Sequence, residues 1–266
     1  MDPQALAIGG FAIVSGPVLL LMGLRTMRMQ RLIENTPTVK IRSMAMGLVE
    51  VQGKVECRSA IQAPFSAKPC VYWQVDISVK GKRDSWSTVH RNRSGNPFYL
   101  RDDTGVAMVY PKGLDARLRV HDQEVCHGLN LPDGYADYLR EYRPRLGFLA
   151  RVGTLRFREW RLEESSFVYL LGTATPRARV TAVNDEEAFL ATGTDDPSMV
   201  AMRATRLRSQ DAEVAATIRK GDHAPVFLMS MDSESQLAFG LSIQSKLMLA
   251  SGPLLAAFGL WMLLSQ

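Results

Sequence analysis

The sequence predicts a membrane-anchored, mainly β protein of the α+β class, in which two transmembrane helices flank a β-rich, barrel-like soluble domain. Three observations predict it. Leu247 to Leu264 (LMLASGPLLAAFGLWMLL) is an uncharged apolar run, and about 18 such residues reach about 27 Å as a helix, close to the hydrocarbon thickness of a bilayer. Ala5 to Leu24 (ALAIGGFAIVSGPVLLLMGL) is a second run of the same kind. Between them, apolar residues alternate with polar ones in short stretches bounded by Gly, Pro, Asn and Asp, which is the pattern of half-buried strands.

About 220 residues separate the two runs, enough for one large or two small domains with real cores. A hydrophobic content of 46% with 22% charged residues fits a folded domain plus anchors, and the mean hydropathy of -0.06 averages over that division. The net charge is +5 and the pI about 9.2, but the basic residues are mostly arginines interspersed with acids. Anionic lipid is therefore a better expected partner than nucleic acid. Cys57, Cys70 and Cys126 cannot all pair and show no C-x-x-C spacing, so no disulfide framework is expected. Met1 to Gln4 holds Asp2 and no basic residue, unlike the positive start of a secretory signal, and the first run is read as a retained anchor.

In order, the expected segments are a transmembrane helix at 5–24, a juxtamembrane linker with a short amphipathic helix at 25–47, the β-rich domain at 48–232, and a helix at 233–264 that continues into the second span at 247–264. The two spans share a pattern. Small residues recur every seven positions, at Gly9, Gly16 and Gly23 and at Ser245, Gly252 and Gly259, which suggests antiparallel packing of one helix on the other. Glycine and proline are also common in membrane helices generally, and the sequence leaves these two readings level. Neither run holds an ionisable residue, which argues against a transporter or proton relay. Basic residues flank the runs on their inner sides. Of these Arg25, Arg28, Arg31, Lys40, Arg42 and Lys246 are the expected contacts to anionic lipid, and the positive-inside rule puts the domain in the cytoplasm.

Ile41, Met44, Ala45 and Leu48 at helical spacing, with Gly47 as a stop, predict the short helix. Val49, Val51, Val55 and Cys57 alternate with Glu50, Gln52, Lys54 and Glu56 to predict a first strand. Val71 to Lys80 predicts a second and Trp86 to His90 a shorter third. Asp102-Asp103-Thr104-Gly105 between Phe98-Tyr99-Leu100 and Val106 to Tyr110 is a hairpin signal. A helical turn is expected at Tyr135 to Leu139. Seven arginines between Arg140 and Arg161 read as a solvated face in preference to an anion-binding patch. Strands are expected at Phe167 to Ala174, Ala178 to Val183 and Val226 to Met229, with helix somewhere in Met199 to Lys220. Ser233 with Gln236 fits a capping box for a last helix running through the second span.

No catalytic, cofactor-binding or metal site is expected. Asp103-Thr104-Gly105 has the core of an aspartic-protease signature, but that chemistry needs two carboxylates sharing a proton. The sequence holds one copy, so a plain hairpin turn is the favoured reading. The four histidines (His90, His121, His127, His223) are scattered, and the spacings of a nucleophile elbow, a P-loop and a dinucleotide-binding turn are missing.

Several motifs resemble a known family. Thr36-Pro37-Thr38, Lys40-Ile41-Arg42-Ser43, Gly47 to Val51 and Gly53-Lys54-Val55 are similar to the start of the GIDE domain, also called "beside a membrane". The similarity continues through Lys68 to Tyr72, Trp86, Pro97-Phe98, Leu100 to Gly105, Arg158-Glu159, Tyr169 to Ala174 and Phe227 to Ser230. This family includes the mitochondrial membrane-anchored RING ubiquitin ligase and many bacterial proteins. In that relative a RING follows the second anchor. A RING needs about eight Cys and His ligands, whereas two residues follow Leu264 here and the sequence has 3 cysteines, so ligase activity is not expected to carry over. The resemblance also implies a domain topologically outside, periplasmic if the membrane is a bacterial plasma membrane, against the cytoplasmic side that charge implies. The expected function is that of a non-catalytic, two-pass membrane protein whose domain is a membrane-adjacent binding or sensing module with an unidentified protein partner. The alternative is an adaptor or subunit of a ubiquitin-ligase-like or protease-like enzyme system.

Overall fold

The computed structural model describes residues 3–59, 61–142, 153–176, 202, 205, 213–221, 226–231 and 234–264. It forms two compact units, one of Met1–Pro37 with Asp232–Gln266 and one of Thr38–Met231. Three helices are used below: α1 (Pro3–Asn35), α2 (Asp133–Tyr142) and α3 (Glu234–Leu264).

The first unit is the pair α1 and α3. Both are long and apolar enough to cross a membrane, over Gly9–Asn35 and Ser242–Leu264. Only 17% and 11% of their most apolar windows are buried, so neither is the core helix of a soluble fold. Phe11, Val14 and Leu21 on α1 and Leu254, Leu260 and Trp261 on α3 face outward. α1 runs past Leu24, where a linker was expected, because Arg25 to Glu34 contains no Gly or Pro to stop it. It ends at Thr36-Pro37, where the Thr36 hydroxyl donates to Leu32 O at 2.7 Å and proline bars continuation. α3 begins at Glu234 and runs unbroken to Leu264; Ser233 lies outside the described residues.

The strands of the second unit are, in order, β1 (Gly47–Glu56), β2 (Ile61–Gln62), β3 (Pro69–Cys70), β4 (Tyr72–Lys80), β5 (Trp86–Arg93), β6 (Phe98–Arg101), β7 (Val106–Val109), β8 (Asp115–Arg117), β9 (Asp122–His127), β10 (Thr154–Leu162), β11 (Phe167–Pro176), β12 (Val214–Arg219) and β13 (Leu228–Ser230). Five of them close a barrel in the order β1-β6-β7-β12-β11, with β11 returning to β1 from Gly47↔Ala174 to Lys54↔Phe167. Only the β7–β12 junction in that ring is parallel. β13 and β8 extend the sheet from β11.

Alternation fills the barrel. Val49, Val51 and Val55 from β1, Phe98 and Leu100 from β6, Ala107 and Val109 from β7, Ala216 and Ile218 from β12, and Val168 and Leu170 from β11 form one buried core. The polar partners expected outside on β1 are not all there. Glu50 is fully buried, accepting from the Tyr169 hydroxyl at 2.9 Å and from the Thr38 hydroxyl, while Val39 N donates to Glu50 O at 2.9 Å. A buried carboxylate survives only with such partners, and here they fasten the entering segment along β1.

The short helix expected before β1 is a single 3-10 turn, Ile41–Ser43. Its backbone is used elsewhere: Ile41 N donates to Asp102 Oδ2 at 2.8 Å and Arg42 N to Thr104 Oγ1 at 3.2 Å. Gly47 then opens β1 at a φ of +120°. The segment Val214–Arg219, inside the stretch expected to include helix, is a strand, while Met202 and Thr205 are helical. The predicted strand at Ala178 to Val183 lies outside the described residues.

A second, antiparallel sheet has the order β5-β4-β10-β9. Trp73, Val75, Ile77, Leu155 and Phe157 cover one face with α2 through Tyr138. Phe65 sits among Tyr135, Tyr138 and Phe157 in edge-to-face contacts of 5.0 to 5.5 Å. At the barrel end of this sheet, Tyr72 and Leu162 enter the barrel core instead. The arginine-rich segment is thus partly a sheet strand. Arg161, on β10, is buried and pairs with Glu159 at 2.9 Å and with Asp122, and Glu159 also accepts from Phe65 N at 2.8 Å.

Candidate functional site

A cleft of about 510 Å³ opens on the barrel flank, lined by Thr38 to Lys40, by Gln52 to Lys54 and Glu56 of β1, by Arg101 to Asp103 at the hairpin, and by Phe167. Chain geometry creates it. β1 pairs with β11 up to Lys54 and with β6 from Lys54 onward, and the crossover needs Gly53, where a Cβ would stand 2.5 Å from Arg101 O. No side chain fits there.

The carboxylates of the Asp-Thr-Gly turn are committed to structure. Asp102 Oδ1 accepts from Thr104 N (2.7 Å), Gly105 N (2.9 Å) and the Thr104 hydroxyl (2.7 Å), while Oδ2 takes the Ile41 N–H. Burial pushes this carboxyl up, but the hydrogen bonds from Ile41, Thr104 and Gly105 outweigh it and hold it below the usual carboxylate range. Asp102 is a clamp joining the hairpin to the 3-10 turn, and it remains an anion. Asp103 pairs with Lys40 at 2.5 Å, both largely exposed. A proton-sharing carboxylate pair is not what this turn presents.

Charge in the cleft is nearly balanced. Arg101 donates from Nε to Glu56 at 2.6 Å and from Nη2 to Glu213 at 3.1 Å. Among the described residues Lys54 has no ion-pair partner, and Phe167 at the rim is 58% exposed. Among the described residues the cleft thus offers one free cation, Lys54, and one bare aromatic ring, Phe167, beside committed ion pairs. That suits recognition, through an anionic group and an apolar one.

Two groups of sequence-predicted residues lie elsewhere. On α1 and α3 the small residues meet: a Cβ on Gly16 would lie 2.7 Å from Gly252 O, one on Gly252 2.9 Å from Gly16 O, and one on Gly259 2.8 Å from Gly9 O. A Cβ on Gly23 would lie 3.1 Å from Leu249 N, and the buried Ser245 donates to Gln30 Oε1 at 3.3 Å. Arg25, Arg28, Arg31 and Lys246 are exposed on the helices, and the Gln30–Ser245 contact puts Arg28, Arg31 and Lys246 near one end of the pair. Lys40 and Arg42 belong to the other unit, where Lys40 is engaged by Asp103 and Arg42 is exposed.

Among the described residues no group of three His, Cys, Asp or Glu side chains could hold a metal; His223 lies outside them. His90 is half-buried against the Tyr138 hydroxyl at 3.0 Å, and burial keeps its pKa low against the pull of Asp76. Burial raises the Cys70 thiol to about 12, which leaves it unreactive at neutral pH. The cleft itself was not foreseen. The signals available were Gly53 inside a strand pattern and an exposed phenylalanine at the start of β11.

Residues 74–200 match the family model named GIDE, described as "E3 Ubiquitin ligase". The matched stretch starts within β4, runs through β5 to β10 and all of β11, and is narrower than the run of motifs from Thr36 to Ser230. Comparison with curated proteins and with solved structures finds no match. The family identification therefore rests on this one stretch: residues 74–200 are similar to the GIDE family.

Proposed function

We propose that the chain is a two-pass membrane protein whose GIDE domain serves as a non-catalytic binding module, with the cleft beside β1 as its ligand site. The cleft carries the reading: Lys54 is available to an anionic group, Phe167 to an apolar one, and Asp102 is tied to backbone donors rather than poised for chemistry. The occupant that suits it is a segment of a protein partner with an acidic and an apolar side chain. Arg25, Arg28, Arg31 and Lys246, with Arg42 and the partly engaged Lys40, would hold anionic lipid, each contributing about 1 kcal/mol near a charged bilayer. The small residues of α1 and α3 would serve close helix packing.

Affinity capture of the full chain from gently solubilised membranes, compared with Lys54→Glu, tests the module. Proteins enriched with the parent and lost with the variant support it, and an identical set with both refutes it. The side of the membrane is tested by fusions after Gln266: with two spans, alkaline phosphatase activity there supports external termini and a cytoplasmic domain, whereas GFP fluorescence there supports cytoplasmic termini and a domain on the outer side. The family's description as a ubiquitin ligase favours a second reading, an adaptor within such an enzyme system. Ubiquitin-transfer components among the captured proteins would select it.

A further inference from the structure

The open face of the four-stranded sheet, turned away from α2, has a charge arrangement that the barrel cleft does not explain. Asp76 of β4 is 1% exposed and lies opposite Arg158 of β10 and Arg91 of β5. It accepts from Arg91 Nε at 2.8 Å, Arg91 Nη2 at 3.1 Å and Arg158 Nη2 at 3.2 Å. Its oxygens are thus shared by two cations. One row further on, Arg156 lies opposite the neutral Ser78. Among the described residues Arg156 has no carboxylate partner, and its guanidinium lies 4.5 Å over the Trp86 ring. Arg158 in turn lies 5.1 Å from the Trp160 ring.

Arg156 and Arg158 are two residues apart on one strand face, with Cα atoms about 7 Å apart. The other groups on this face do not neutralise them. Arg93 donates to Leu114 O, and Lys80 pairs with Asp84 at the sheet's end. β9 contributes the neutral Gln123 and Val125. Among the described residues Arg91, Arg93, Arg156 and Arg158 thus share one carboxylate on this face, Asp76, which Arg91 and Arg158 already engage, while Asp115 acts on Arg91 from the other sheet. Arg156 Nε and Arg158 Nε are buried without hydrogen-bond partners, and burial with the neighbouring Arg158 disfavours the charge on Arg156. An anion placed between the two guanidinia would relieve both conditions, and arginine's planar donor fork suits a phosphate oxyanion.

We propose that Arg156 and Arg158, held over Trp86 and Trp160, form a binding site for a phosphate-type oxyanion, carried by a lipid headgroup or a soluble phosphoester. This goes beyond the cleft and stands or falls independently of it.

The test uses the full chain in nanodiscs of zwitterionic lipid. One arm adds inorganic phosphate or glycerol phosphate and follows tryptophan emission. The other adds separate vesicles, of phosphatidylcholine alone or with 30 mol% phosphatidylglycerol (about one charge in three lipids), and measures co-flotation. Arg156→Gln with Arg158→Gln should lower binding about tenfold or more in whichever arm shows it. Lys112→Gln with Lys68→Gln, an equal charge loss elsewhere, should leave it unchanged. Arg156→Lys with Arg158→Lys guards against misfolding, because it keeps the charge and should retain part of the binding. Soluble-phosphate binding lost in the glutamine variant supports a soluble source, and vesicle binding alone supports a headgroup. Absence of binding in both arms, or equal loss in the lysine-to-glutamine control, overturns the proposal, while cleft-dependent capture of a partner would be unaffected.

Discussion

Gly16→Leu combined with Gly252→Leu should separate the two apolar helices. A Cβ on Gly16 would stand 2.7 Å from Gly252 O and 2.8 Å from Ala256 Cβ, and a Cβ on Gly252 would stand 2.9 Å from Gly16 O, where ordinary contact begins near 3.4 Å. Even an alanine at Gly16 would push the backbones apart by about 0.7 Å, the difference between 3.4 and 2.7 Å, and a carbonyl cannot turn aside as a side chain can. Overpacking of this kind costs about 1–3 kcal/mol. The two sites share one contact and so do not simply add. That cost corresponds to about fivefold to more than a hundredfold in the pairing equilibrium. The assay is disulfide formation between Gln30→Cys and Ser245→Cys, whose native side chains meet at 3.3 Å, in a Cys57→Ser background in membranes. Gly10→Leu is the control, because nothing lies within 4 Å of a Cβ there. Cross-linking in the double leucine variant as fast as in the parent, or equal loss with Gly10→Leu, would refute the close-packing argument.

Other predictions concern the domain. Asp102→Asn should lower stability by about 1–3 kcal/mol at neutral pH, because it puts an amide against backbone donors. The folded carboxyl is held below its unfolded value near 4, so its contribution is present above about pH 4 and lost as pH falls through the folded value. Melts of parent and variant should therefore converge in acid, and a gap that persists there would count against the clamp. Tyr169→Phe removes one partner of the buried Glu50 and should cost about 1.5–3 kcal/mol in chemical denaturation, with an unchanged midpoint as the contrary result. Cys70 should resist iodoacetamide at pH 8 in the folded chain and label after denaturation, since its thiol is raised to about 12; prompt labelling of the native protein would contradict its burial.

Much of the fold was legible because burial imposes periods. Val49, Val51 and Val55 announced β1, and the Asp102 to Gly105 turn announced its hairpin. β10 is not legible in the sequence because Arg156, Arg158, Glu159 and Arg161 mask the alternation of Leu155 and Phe157, so that charge there suggests a solvated face. The structure shows instead that Arg158 pairs with Asp76 and Arg161 with Asp122 and Glu159, while Arg156 stacks on Trp86. The short helix before β1 failed for a related reason, since Asp102 and Thr104, about sixty residues away, take the N–H groups that the next helical turn would have organised.

The sequence by itself determined the two apolar helices, the β character of the chain between them and the resemblance that the family match supports. Each depends on local composition or on a repeat of two or seven residues. Tertiary structure decided what no local pattern encodes: closure of the barrel through β11 and β1, burial of Glu50, the cleft over Gly53, and the unequal share of one buried aspartate between arginines on two strands. The physical reason is the same in each case. These features depend on which distant backbones and charges become neighbours, and that is set by strand register, which sequence spacing alone does not reveal.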